Sequence, residues 1–267
     1  MKYKILCSDL DGTLLSSKSD VSEFAIEQIG KIKDDTKIIL VSARMPSGMR
    51  YIQENLGITN QPIICYNGAL VLSGNTALTS VFIPINILTD IHKVCKGLEA
   101  DLGLYYNNEW YVPKTSLRVD KETKYTKTTP TFQDTQSTLN NWKQRNVGAH
   151  KIMLMCTKSS ADILMPVLQE KLGDVLNLYR SNDTLIEIAP KTVSKLSAIK
   201  LLLEEDEALA DIVAFGDNYN DIEMLENVGY GVAVANAREE VKKISNHITL
   251  DNTEDGVAHY IAKNLVN

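Results

Sequence analysis

The apolar positions of this 267-residue chain change their period twice. In the first third, short aliphatic runs alternate with stretches in which apolar residues recur every three to four positions. Tyr3 to Ser8 reads as a buried strand. Val21 to Lys33 reads as a helix with Phe24, Ile26, Ile29 and Ile32 on its apolar face and Ser22 as N-cap. Lys37 to Val41 is a second strand. Pro46 to Leu56 is a helix with proline in its first turn and Gly57 at its stop, and Pro62 to Cys65 is a third strand. Strand, helix, strand, helix, strand predicts a parallel sheet covered by helices.

The rhythm then breaks. Ala69 to Val81 alternates around Ser73-Gly74-Asn75, which is a hairpin signal. Helices are expected over Asn86–Leu102, Gln136–Arg145 and Ser160–Leu172. Strands are expected on both sides of Asn107-Asn108 between Leu104 and Val112, over Lys151–Cys156, and around the turn at Ser181-Asn182-Asp183. Lys114 to Gln133 is polar and carries no clear period. After Pro190 the strand–helix alternation resumes. Helices are expected over Ser194–Glu205, Asn218–Glu226, Arg238–Ile244 and Gly256–Leu265, and strands over Ile212–Phe215, Gly231–Val234 and Ile248–Leu250. The expected architecture is an α/β protein: a Rossmann-like parallel-sheet core built from residues 1–83 and 190–267, with an α+β domain, residues 84–189, inserted as a cap. Insertions of this kind enter at surface loops, and a ligand cleft is expected at such a junction.

Composition narrows the function. The chain is 44% hydrophobic and 23% charged, and its net charge is −6. An acidic balance disfavours nucleic acid and anionic membranes as partners. No apolar run is long enough for a membrane-spanning helix or a signal peptide. Cys7, Cys65, Cys95 and Cys156 are widely spaced and form no C-x-x-C pair, and His92, His150, His247 and His259 are scattered. Neither a disulfide framework nor a zinc site is indicated, and a reducing cytoplasm is expected.

The chemistry-bearing residues gather where strands end. Asp9 and Asp11 follow the first strand, at the carboxyl edge where open α/β sheets hold their sites. Residues two apart on an extended chain point the same way, so the two carboxylates can divide nucleophilic and proton-transfer work. Gly12 permits a tight turn that leaves amides facing an anion. The longer string D-x-D-G-T recurs by chance on the order of 10⁻⁵ per start. A second acidic pair, Asp217 and Asp221, follows the strand Ile212–Phe215. Four acids at one sheet edge repel unless a hard divalent cation joins them, and carboxylates with water suit magnesium. Ser42, at the end of the second strand, and Lys195, at the start of a helix, could supply the hydroxyl and the fixed cation that a phosphoryl transition state needs. Taken singly, each of these residues is as well read as a turn, cap or surface residue.

Together they resemble the haloacid dehalogenase superfamily of phosphatases, in its Cof-type branch with a large α/β cap. Asp9-Leu10-Asp11-Gly12-Thr13-Leu14 matches the first motif, Ser42 the second, Lys195 the third, and Gly216-Asp217-x-x-Asn220-Asp221-x-x-Met224 the fourth. Asn67-Gly68-Ala69, Asn236-Ala237 and Asp255-Gly256-Val257 resemble further signatures of that branch. Ser42-Ala43-Arg44 replaces the usual Thr-Gly-Arg, Leu196 stands where glycine usually follows the lysine, and Val234-Ala235 replaces Met-Gly.

The resemblance implies that Asp9 attacks phosphorus to give an aspartyl-phosphate. It makes Asp11 the acid and then the base. Magnesium would be held by Asp9, the Asp11 carbonyl and Asp217, with Asp221 either a ligand or one step removed. Ser42 and Lys195 would grip the phosphoryl oxygens, and Gly12, Ala43, Arg44 and Asn220 would border the substrate. The expected partner is a small phosphorylated metabolite as substrate, and the expected assembly is a monomer or homodimer. Sugar phosphates, nucleotides and cofactor phosphates are all open, and the cap residues Tyr105, Tyr106, Trp110, Tyr111, Arg118, Lys151, Arg180 and Asn182 are candidates to select among them. A sugar phosphomutase and a non-catalytic phospho-ligand sensor are the alternatives.

Overall fold

The computed structural model describes residues 3–16 and 20–266. Within them the expected α/β fold is present. The chain opens with β1 (Ile5–Asp9), α1 (Glu23–Ile32), β2 (Lys37–Val41), α2 (Ser47–Leu56) and β3 (Ile63–Cys65), then the hairpin β4 (Leu70–Ser73) and β5 (Thr76–Ser80). There follow α3 (Ile85–Cys95), β6 (Ala100–Tyr106), β7 (Glu109–Val112), α4 (Leu117–Thr126), β8 (Thr131–Phe132), α5 (Thr135–Arg145), β9 (Lys151–Cys156), α6 (Lys158–Leu172), β10 (Leu176–Asn182) and β11 (Leu185–Pro190). The chain ends with α7 (Lys195–Lys200), β12 (Ile212–Gly216), α8 (Ile222–Asn227), β13 (Tyr230–Ala233), α9 (Glu239–Ile244), β14 (His247–Ile248) and α10 (Gly256–Asn264).

The local signals that placed these elements are visible in their ends. The Ser22 hydroxyl accepts from the Ala25 amide at 3.0 Å to cap α1, and Gly57 ends α2 at φ +66°. Two expected helices are shorter than their apolar spacing suggested. The helix expected over Asn86–Leu102 ends at Cys95, and Gly97 turns the chain at φ +81°. Leu102 belongs instead to β6, whose two-residue period buries it together with Leu104, a residue expected in a strand. The helix expected over Ser194–Glu205 stops at Lys200. Beyond it Glu207 folds its carboxylate back onto the Glu204 amide at 2.9 Å, and Lys37 holds both glutamates and the Leu202 carbonyl, so a local ionic turn replaces the helix.

The chain divides into two compact units, residues 1–79 with 194–267, and residues 80–193. The discontinuous unit carries a sheet of order β14-β13-β12-β1-β2-β3-β4-β5, parallel from β14 to β3. Its central strands β1 and β12 are buried along their whole length, as expected for a parallel sheet with both faces covered. The register sets Ser8 opposite Phe215 and Asp9 opposite Val41. The ends of β1, β2 and β12 therefore lie level, and the residues that follow them share one edge.

The inserted unit carries the sheet β10-β11-β9-β6-β7-β8, antiparallel except between β7 and β8. Leu102, Leu104, Ile152, Leu154, Ile186 and Ile188 point to one face and pack with Leu88 and Ile91 of α3, Trp142 of α5, and Leu164 and Leu168 of α6. Among the described residues no helix is long and apolar enough to cross a membrane.

Candidate active site

After β1 the backbone turns through Leu10–Leu14 in one wide loop, closed by the Leu15 amide on the Leu10 carbonyl at 3.0 Å. Gly12 makes this turn at φ +87°. Its conformation favours glycine, and a side-chain carbon there would sit 2.8 Å from an Asp217 oxygen and displace that carboxylate. The Thr13 hydroxyl donates to Asp217 Oδ1 at 3.1 Å, and Asn236 donates to the Gly12 carbonyl at 2.8 Å. Asn236 in turn accepts from the Asn252 amide, and Asn252 donates to the Leu15 carbonyl at 2.7 Å. The Asn236 signature thus braces the loop that carries the first motif.

Asp9 is buried at the end of β1, and Lys195 donates to its Oδ1 at 2.6 Å. The same ammonium donates to Asp221 Oδ1 at 2.6 Å. Ser194 caps α7 and fixes Lys195 as the helix's first residue. Asp221 is fully buried, and its other oxygen accepts from the amides of Asp217 and Asn218, both at 3.1 Å. Asp9, Asp217 and Asp221 each present an oxygen within 4.8 Å of the others.

Three carboxylates against one ammonium leave two negative charges uncompensated. Burial, reinforced by Asp221 and Asp217, pushes Asp9 well above the usual carboxylate range despite the opposing pull of Lys195. Burial and then Asp221 raise Asp217 to about 6. Burial pulls Lys195 down, but Asp221 and Asp9 together outweigh it and hold the ammonium above its ordinary value. A divalent cation with oxygen preference fits this donor set and this charge excess.

Asp11 points to the outer side of the loop, with its side chain 42% exposed. Arg44 holds both of its oxygens, Nε to Oδ2 at 2.8 Å and Nη2 to Oδ1 at 2.7 Å. Ser42 is buried just past β2, and its hydroxyl accepts from the Arg44 amide at 3.2 Å. Ala43 between them is partly buried. Asn220 is exposed and donates to Asn67 Oδ1 at 3.1 Å. Asn67 adopts φ +54°, and Gly68, at φ +108°, lies so close to the Ser194 carbonyl that a side-chain carbon would stand 2.4 Å from it. That signature therefore seats the turn after β3 against the start of α7.

The structure thus brings Asp9, Asp217, Asp221 and Lys195 into one cluster, buried except for a partly exposed Asp217, and links Asp11 to Arg44. Thr13, Asn236 and Asn67 had no role assigned from the sequence, although all three lie inside motifs it displayed. In the inserted unit, Tyr105 and Trp110 are buried and stack on each other with centroids 5.3 Å apart. The Lys151 ammonium lies 4.6 Å from the centre of the Tyr105 ring, and Arg180 pairs with Asp162 at 2.5 Å. These four candidates are engaged in the unit's own packing and ion pairs.

The sequence profile of the haloacid dehalogenase-like hydrolases matches residues 6–261. A Haemophilus influenzae protein provisionally named a phosphatase is 30% identical over 263 residues, 97% of each chain. The 5-amino-6-(5-phospho-D-ribitylamino)uracil phosphatase YitU of Bacillus subtilis is 27% identical over 276 residues, 97% of each chain. A crystal structure of a haloacid dehalogenase-like hydrolase from Bacteroides thetaiotaomicron superposes with a TM-score of 0.88 at 26% identity, covering 98% of this chain and 99% of that one.

Proposed function

We propose, from the premise that this chain belongs to the haloacid dehalogenase-like hydrolases, that it is a magnesium-dependent phosphatase acting on a small phosphorylated metabolite through an aspartyl-phosphate on Asp9. The observation that carries the reading is the buried Asp9 carboxylate, paired with Lys195 inside a cluster of three acids at the ends of parallel strands. The phosphatase names of the relatives support the reaction class.

An Asp9 oxygen attacks phosphorus, and the bond to the leaving oxygen breaks. Asp11 gives that oxygen its proton. Asp11, now a carboxylate, takes a proton from water as the water attacks the aspartyl-phosphate, which releases phosphate and restores Asp9. Two displacements replace the direct attack of water on a phosphate monoester, which is among the slowest uncatalysed reactions. Lys195 holds Asp9 in line and offers its charge to the phosphoryl oxygens, and the Ser42 hydroxyl serves the same group.

Asp9 and Asp217, with the Asp11 carbonyl that the resemblance implies, are the residues that would hold magnesium. When bound, the ion supplies positive charge against the oxygens of the transferring group. Asp221 already accepts hydrogen bonds from Lys195 and from the amides of Asp217 and Asn218, so its part is to orient Lys195 and the turn that carries Asp217. The inserted unit, residues 80–193, is assigned the choice of leaving group, and the surroundings are a reducing cytoplasm.

The test is phosphate release from a panel of phosphorylated metabolites and a generic aryl phosphate. The wild-type chain should release phosphate with magnesium and lose turnover in EDTA. Asp9→Asn should abolish release. Appreciable turnover by a clean Asp9→Asn preparation sinks the assignment of Asp9, and interconversion of a sugar phosphate without net release would point to the mutase.

A further inference from the structure

We infer that Arg44 is the positioning residue for Asp11, holding the proton-transfer carboxylate in place from the far side of the loop, and that it is not a ligand of the substrate's phosphate. The inference rests on the proposed role of Asp11 and extends it.

Arg44 is 3% exposed, whereas the side chain of Asp11 is 42% exposed. The cation is therefore part of the protein's interior, and the carboxylate it holds faces outward. The hold is two-pronged: Nε and Nη2 meet the two oxygens at 2.8 and 2.7 Å. Such a fork fixes the plane and direction of a carboxylate, which a single contact leaves free to rotate. The third nitrogen anchors the fork in turn. Nη1 donates to the Gly48 carbonyl at 3.1 Å and to the Tyr51 hydroxyl at 2.9 Å, both in α2.

The chain of support thus runs from α2 through Tyr51 and Gly48 to Arg44, and from Arg44 to Asp11. Burial of the guanidinium lowers its tendency to hold charge, and Asp11 and Tyr51 restore it. The residue before Arg44 in this chain is alanine, the Arg44 amide is tied to the Ser42 hydroxyl at 3.2 Å, and the Arg44 carbonyl accepts from the Tyr66 amide at 3.2 Å, so the backbone that carries the fork is fixed between β2 and the turn after β3. A buried cation whose donors face Asp11, Gly48 and Tyr51 has a partner set of protein groups. Of these, Asp11 alone has a proposed chemical role, and the fork aims it.

The prediction separates aiming an acid from holding up the fold. A good leaving group departs without a proton, whereas an alkoxide needs one. The quantity to measure is kcat/KM for a nitrophenyl phosphate and for an alkyl phosphate, because kcat/KM reports the first displacement. Arg44→Met should lower kcat/KM for the alkyl ester by about 10² to 10³ and that for the aryl ester by less than about tenfold. The inhibition constant of inorganic phosphate should stay within about threefold. Tyr51→Phe should give a smaller loss of the same pattern, and Arg44→Lys should recover part of the alkyl activity.

Asp11→Asn serves as the reference. It should show the same leaving-group discrimination, and adding Arg44→Met to it should cost nothing further, because the two residues act as one unit. Equal losses on both esters from Arg44→Met, or a tenfold weaker phosphate inhibition, would overturn the inference while leaving Asp11 as the acid. Absence of discrimination in Asp11→Asn would instead remove the role of Asp11 itself, and the inference with it. If Arg44→Met does not fold, Arg44→Lys and Tyr51→Phe carry the same test, with equal losses on the two esters in both variants counting against it.

Discussion

Both units of this chain bury ionisable side chains beside a sheet, and they treat them differently. In the inserted unit each such group has its own neighbours. His150 is fully buried, stacks on Tyr106 with ring centroids 5.0 Å apart, accepts from the Asn107 amide at 3.1 Å, and meets the Ser80 hydroxyl at 2.9 Å. With Nδ1 accepting, the proton sits on Nε2, and the ring is neutral. Lys151 lies over Tyr105 and 3.6 Å from Glu122. In the discontinuous unit three carboxylates cluster beside one ammonium, which is bonded to two of them, Asp9 and Asp221. Folding alone gives no reason to gather like charges out of water, because their repulsion and their lost hydration both oppose it. A local surplus of one sign is thus the mark of a site, and a one-to-one pairing is the mark of packing.

The sharpest test of that difference is to remove one cation from each unit. Lys195→Met leaves Asp9 and Asp221 buried without their common partner. It should abolish turnover and cost about 3–5 kcal/mol of stability in EDTA, the range for breaking a buried ion pair from one side. Lys151→Met removes a looser contact to a partly exposed glutamate and should cost only about 1–2 kcal/mol. Urea unfolding of both variants measures this. Equal costs would mean that the Lys195 cluster is ordinary structural pairing.

The two units should also lean in opposite directions with pH. Asp217 titrates near 6 in the folded chain, against an ordinary carboxylate value of 3.8, chiefly because it is buried and then because Asp221 is near. The folded state therefore keeps that proton to higher pH than the unfolded state does. Stability contributed by the protonated form is present at low pH and is lost as pH rises through about 6, with a ceiling of roughly 3 kcal/mol. His150 titrates near 4, against an ordinary 6.5, because it is buried. Here the unfolded state binds the proton first, so stability is lost as pH falls from about 6.5 to about 4, by a similar amount. The two windows overlap with opposite slopes and offset each other in the wild type, so unfolding midpoints in EDTA between pH 4 and 6.5 should rise with pH in Asp217→Asn and fall with pH in His150→Gln. Magnesium should oppose the fall in His150→Gln, which keeps Asp217, and should have little effect on Asp217→Asn. Variants that keep the wild-type profile would break the contrast.

Much of this contrast could be read in the sequence, and the part that could not has a physical cause. Asp9, Asp11, Asp217 and Asp221 were visible because each follows a strand whose apolar run is unmistakable, and a parallel sheet aligns strand ends. Lys195 could be named from its motif, but its pairing could not, since nothing local says that the first residue of α7 reaches back 186 positions to Asp9. The same holds for Asn236, whose partners are the Gly12 carbonyl and the Asn252 amide. Segment 114–133 was illegible because α4 has little apolar character to show a period; its buried residues are Val119 and Thr126. The helices that ended early did so at a glycine turn and at an ionic turn around Lys37, and hydrophobic spacing registers neither.

The smallest effect belongs to a polar atom that the inserted unit buries without use. Trp110 is 2% exposed, and its Nε1–H is among the buried donors that lack a partner among the described residues. Gly103 lies against the indole, and a side-chain carbon there would stand 3.4 Å from Nε1. The ring stacks on Tyr105 at an interplanar angle of 10°. An unsatisfied buried donor costs about 1–3 kcal/mol, and a phenyl ring in its place removes that cost and keeps the stack. The smaller ring also leaves a void whose cost is of similar size. Trp110→Phe should therefore change stability by no more than about 1 kcal/mol and leave kcat/KM on an aryl phosphate unchanged. A loss well beyond that, measured by urea unfolding, would mean that the indole donor does serve a polar partner. The inserted unit would then hold a site of its own, and one-to-one pairing would no longer set it apart from the acidic cluster around Asp9.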